Sequence, residues 1–171
     1  MEIPTKAVTA VKQAVPFFMV ANIQKSLDFY ETGLGFEKTN QWIDEGKLRW
    51  CWLQHGSAAL MLQEYPAQTR QRLASEAKVL GVGVSIYFIC EDALAIYREF
   101  TSRGVKAGRP FVGNAMWVTS ITDPDGYKLF FERPTDVAEE TVYSEREGQD
   151  SGEIAGNVTT TAPLQANPRL D

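Results

Sequence analysis

Few residues in this sequence have the type and spacing to do chemistry. The only histidine, His55, lies in "QHGS", a polar break between two apolar runs, and reads as part of a surface turn. With that one imidazole, no Ser/His/Asp or Cys/His relay can be assembled. Cys51 and Cys90 each sit inside an apolar, strand-like run and read as packing residues; two such thiols suggest neither a disulfide framework nor a zinc site. Asp123 and Asp125 belong to "DPDG", a turn in which short carboxylates bond their own backbone. "GVGVS" at 81–85 lacks the third glycine and the following helix of a dinucleotide loop, and reads as the start of a strand. Glu132, in "YKLFFERP", is the remaining candidate. Inward and shielded, its pKa would rise and it could act as a base; at a strand exit it would pair with Lys128 or Arg133.

The elements that must position these residues occur twice. "VPFFMVANIQKSLDFYETGLGF" from residue 15 and "SIYFICEDALAIYREFTSRGV" from residue 85 each open with an apolar strand. Each then offers a helix cap, Asn22 or Asp92, and apolar residues at helical spacing, stopping at Gly33 or Gly35 and at Gly104. Three strand-like runs follow in each copy. They are "FEKTNQWI", "LRWCWLQ" and "AALMLQEY", then "VKAGRPFV", "MWVTSIT" and "YKLFFER", with "HGS" and "DPDG" as the hairpin turns. The polar stretch "PAQTRQRLASEAKV" between the copies reads as a helical linker. Each half is therefore βαβββ, a unit that packs one sheet face on its helix and leaves the other open. The expected fold is α+β: two tandem modules, about 13–66 and 81–134, forming a curved mixed sheet with helices outside and a concave trough.

Charge is unevenly spread. Between Asp136 and Glu153 seven acids face one base, and the rest of the chain is near neutral, with no basic stripe to suggest nucleic acid. Residues 135–171, acidic and then Thr/Pro-containing, show no hydrophobic periodicity and read as a disordered tail. No run approaches a membrane span, and "MEIPTKAVTAVKQAV" has no apolar core of a signal peptide, so a cytoplasmic location is expected.

Paired βαβββ modules carrying "SLDFYETGLGF" and "DPDGYKLFFE" resemble the vicinal oxygen chelate superfamily of glyoxalases, extradiol dioxygenases and bleomycin-resistance proteins, over residues 13–134. In metal-using members of that superfamily four ligands point into the trough. The resemblance puts those positions at Val15, Met61, Ser85 and Phe130. None of these is an imidazole or carboxylate, and shifting the register by one or two residues does not assemble a ligand set. No metal and no other cofactor is expected.

Strand alternation from those positions gives an inward set: Val15, Phe17 and Met19; Met61 and Gln63; Ser85, Tyr87 and Ile89; Phe130 and Glu132. Trp50, Trp52 and Trp117 are further ligand-binding candidates, on strands where either face is open to them. The lining suits a small apolar or aromatic molecule, with Gln63, Ser85, Tyr87 and Glu132 orienting it. The resulting expectation is a metal-free small-molecule-binding protein similar to the bleomycin-resistance branch, for which the resemblance also implies a homodimer. Two alternatives stand beside it. One is a lyase, isomerase or dioxygenase of the same superfamily with a non-standard or absent metal site and Glu132 as a weak catalytic candidate. The other is an assembly module whose trough is filled by its own side chains.

Overall fold

The computed structural model describes residues 11–76 and 80–145. The first module runs β1 (Phe17–Val20), α1 (Ile23–Leu27), β2 (Glu37–Asp44), β3 (Lys47–His55) and β4 (Ala58–Glu64). Helix α2 (Ala67–Ser75) links it to β5 (Ser85–Ile89), α3 (Ala93–Ser102), β6 (Phe111–Gly113), β7 (Met116–Thr122) and β8 (Lys128–Pro134). The strands form two four-stranded mixed sheets, β1-β4-β3-β2 and β5-β8-β7-β6, with β1 and β5 at equivalent edges. Each is parallel at its first pair and antiparallel elsewhere, the same topology built twice.

The helix starts follow from their caps. The Asn22 side chain accepts from Lys25 N–H at 2.9 Å, and Asp92 Oδ1 accepts from Leu94 and Ala95 N–H at 2.9 and 3.0 Å. Helix α1 continues as a π-helical segment, Asp28–Gly33. Gly33 faces the second module so closely that a Cβ there would lie 2.9 Å from Val105 Cγ2.

One face of each sheet is apolar and buried. Phe18, Val20, Cys51, Leu53, Leu60 and Leu62 join Phe100, Leu129 and Phe131 in one cluster that spans both modules. At about 1.5–3 kcal/mol for each large apolar side chain removed from water, this shared core is the main attraction between the modules. Cys51 and Cys90 pack as expected, the first buried and the second partly so. Burial pushes both thiols up, Cys51 to about 11.

The "DPDG" turn does more than reverse the chain. Asp123 Oδ1 accepts from Asp125 and Tyr127 N–H at 2.9 and 2.8 Å, the local turn bonds its residue type favours. Its Oδ2 accepts from the Tyr30 hydroxyl at 3.0 Å, across the module boundary. Asp125 reaches the same way, accepting from Ala21 N–H at 2.9 Å and Ser26 Oγ at 3.2 Å. Tyr127 stacks on Phe18 with centroids 4.0 Å apart and donates to Met19 C=O at 3.0 Å. Gly81 lies against this turn, where a Cβ would come within 2.1 Å of Tyr127 N. The turn thus bolts the second module to α1 and β1.

Two expectations change. "VKAGRPFV" yields only the short strand β6 and an isolated bridge from Ala107 to Ile121. Pro110 has no N–H to donate, and Gly108 lies so near β7 that a Cβ there would come within 2.6 Å of Ser120 Oγ. Residues 135–145, expected to be disordered, instead return along the edge of the second sheet. Val112 N–H donates to Thr141 C=O and Tyr143 N–H to Pro110 C=O, both at 2.8 Å. The Tyr143 ring packs edge-on to Tyr97 and Trp117, and its hydroxyl accepts from Arg98 at 3.2 Å. Residues 146–171 of the expected tail lie outside the described residues.

Candidate functional site

Cross-strand partners share a face, so register decides which side chains can meet a ligand. In the first sheet Phe17 pairs with Met61, Met61 with Trp52, and Trp52 with Asn40. The next row is Met19, Gln63, Trp50 and Trp42. Cys51, Leu53, Leu60 and Leu62 alternate with these and point into the core. The face away from the core therefore carries three tryptophans, a phenylalanine and two methionines around Gln63. Trp42 is 53% exposed and Phe17 47%, while Trp50, Trp52, Met61 and Gln63 are partly buried.

The corresponding face of the second sheet has three rows. Ser85 pairs with Lys128, Tyr87 with Phe130, and Ile89 with Glu132; Ser120 extends the second row and Val118 the third. Tyr87 and Phe130 stack, centroids 4.8 Å apart and planes 13° from parallel. Tyr87 is 57% exposed and Ile89 70%, so this face too lies open.

The structure thus groups Phe17, Met19, Trp50, Trp52, Met61 and Gln63 on one open face, and Ser85, Tyr87, Phe130 and Glu132 on the other. Trp117 is a correction. It pairs with Arg133 and Val112, one residue out of step with Val118, so it points to the α3 side, where it meets Tyr143. Val15 precedes β1 and is partly buried. Trp42 was missed: the β2–β3 register shifts between Lys38 and Asn40 and between Trp42 and Ile43, and no count along one strand reveals which face results.

Val15, Met61, Ser85 and Phe130 offer a divalent ion one hydroxyl and one thioether, and the Phe130 ring is committed to its stack on Tyr87. They do not fit such a metal. Among the described residues no group of three or more His, Cys, Asp or Glu side chains could hold one. Glu132 is partly buried between Ile89 and Val118. Lys128, one of its two expected partners, donates instead to Thr122 Oγ1 at 2.7 Å. His55 is exposed in the β3–β4 hairpin, edge-on to Phe36 at 5.3 Å.

The family model described as Glyoxalase/Bleomycin resistance protein/Dioxygenase superfamily matches residues 11–131. No curated protein sequence matches the chain. Among solved structures, the bleomycin resistance determinant encoded on the transposon Tn5 is 22% identical, with a TM-score of 0.56, over 74% of this chain and 100% of that one. TnmS3, an antibiotic binding protein from Streptomyces sp. CB03234, is 19% identical with a TM-score of 0.55, over 74% and 100%. A bleomycin-binding protein complexed with bleomycin is 20% identical with a TM-score of 0.53, over 74% and 100%. At these identities the likeness is one of fold.

Proposed function

Since the chain belongs to the glyoxalase/bleomycin resistance protein/dioxygenase superfamily, we propose that it is a metal-free binding protein for a small apolar or aromatic molecule. The observation that carries this reading is the open face of the first sheet. There Trp42, Trp50 and Trp52 line up with Phe17, Met19 and Met61, and Gln63 is the central hydrogen-bonding group. Tryptophan presents a large, rigid apolar surface and methionine adapts to irregular shapes, a combination suited to flat, ring-containing ligands. Binding and sequestration need no reacting group, which agrees with the side chains at the four superfamily ligand positions. Relatives in fold that bind antibiotics support the reading at the level of ligand class.

The same observations favour a homodimer. Strands β1 and β5 each end a sheet, and their open-face residues Phe17, Tyr87 and Ile89 are among the most exposed large apolar side chains. A second copy laid across these faces would cover them and turn each into one wall of a groove. We assign the first module to residues 13–66 and the second to 81–134, with the ligand held on their open faces. No helix among the described residues is long and apolar enough to cross a membrane, and we place the protein in the cytoplasm.

Titration with bleomycin, followed by tryptophan fluorescence, tests the binding reading. Saturable quenching that Trp52→Ala weakens at least tenfold is expected. Quenching that is unchanged in Trp52→Ala would place any binding elsewhere.

A further inference from the structure

A cleft of about 730 Å³ lies between the β3–β4 hairpin and the N-terminal half of α3. It is built differently from the open faces. Phe36, Phe88 and Phe131 form its floor, Phe88 stacked on Phe131 at 4.9 Å and Phe36 edge-on to Phe88 at 5.9 Å. Its rim carries the carboxylates of Glu91 and Asp92 and the imidazole of His55, and no lysine or arginine lines it. The positive end of α3 is already met by Asp92, which accepts from Leu94 and Ala95 N–H. An anion entering the cleft would therefore meet two carboxylates and a helix terminus that is already capped; the nearest guanidinium, Arg103, lies beyond His55 and is paired with Glu99.

We propose that this cleft, which Ile89 borders at the edge of the second sheet, is a second ligand site distinct from the tryptophan face of the first sheet, and that it takes a small aromatic ammonium ion. The volume suits a ligand of drug size or smaller. Aromatic rings attract both a ring and a nearby cation, and the two rim carboxylates select the positive charge. All of these lining residues come from one protomer.

His55 is the only histidine in the chain and lines the cleft, so its ring-proton NMR signals report directly on occupancy. Three probes of one shape separate the charge preference: naphthylmethylammonium, naphthylmethanol and naphthylacetate. The ammonium ion should shift the His55 signals saturably, the alcohol more weakly, and the acetate least. Glu91→Gln, at an exposed position, should weaken the ammonium ion about two- to fivefold and leave the alcohol unchanged. Ala95→Trp, which fills the cleft from α3, should abolish the response, whereas Trp52→Ala on the open face should not alter it. Acetate binding as tightly as the ammonium ion, indifference to Glu91→Gln, or a response lost in Trp52→Ala would overturn the proposal.

Discussion

Phe130 shows how a residue can be placed correctly and its surroundings misjudged. Alternation puts it on the sheet face away from the core, and its pairing with Tyr87 and Ser120 agrees. It is nonetheless only partly buried, because that face is open. Phe130→Ala should therefore cost about 1–2 kcal/mol, less than the roughly 3–5 kcal/mol of a fully enclosed phenylalanine. Phe130→Glu should fold, since the carboxylate can reach water. Urea denaturation of both variants checks this, and a loss near the fully buried figure would mean the face is closed. Tyr30→Phe should be costlier than its small volume change suggests. It removes a donor from Asp123, a carboxylate only 4% exposed, and leaves that oxygen without the bond; about 1–3 kcal/mol is expected in the same assay.

Among the elements, β7 was legible to the residue, because "MWVTSIT" is a clean β-forming run between two turns. Both helix starts were equally clear, since Asn22 and Asp92 are strong caps before periodic apolar residues. Strand β6 was less so: composition suggested a longer strand than Pro110 and Gly108 permit. Trp42 escaped because its face depends on two register shifts. The segment from 135 to 145 escaped for another reason. It carries no apolar period, and one aromatic side chain, Tyr143, anchors it against Tyr97 and Trp117. Truncation after Asp136, or Tyr143→Ala, should accordingly lower stability by about 2–4 kcal/mol. A melting temperature unmoved by either change would show that the segment does not hold to the sheet.

For the molecule as a whole, the buried titratable groups predict weakness in alkali. Burial pushes the Tyr127 hydroxyl up to about 12 and the Cys51 thiol to about 11. Tyr30 is held well above its ordinary value, by burial first and then by the Asp123 carboxylate. The unfolded chain releases these protons near 9.0 for cysteine and 10.0 for tyrosine, so above that range it binds fewer protons than the folded one. The stability these groups contribute is intact below about pH 9 and falls as pH rises through 9–12. Thermal melts across that range should show the decline, and Tyr30→Phe should make it shallower. Asp123, raised chiefly by burial, holds its proton more tightly when folded and so does not drive unfolding in acid.

The two-module plan and the alternation along β1, β4, β5 and β8 could be read from periodicity and spacing; the faces of Trp42, Trp50, Trp52 and Trp117 could not. Nor could the cover over each face, because coverage depends on what a second copy adds. Sedimentation velocity should find a dimer that Ile89→Glu, at a 70% exposed position, dissociates. A monomeric wild type would remove the groove between copies. The central claim is that the tryptophan face binds aromatic molecules without metal. Isothermal titration of chelator-treated protein with bleomycin, repeated after Trp50→Ala and Trp52→Ala, tests it most directly. The account predicts saturable binding unaffected by the chelator and weakened at least tenfold in each variant. Loss of metal-free bleomycin binding on chelator treatment of the protein, or binding that neither substitution changes, would contradict it.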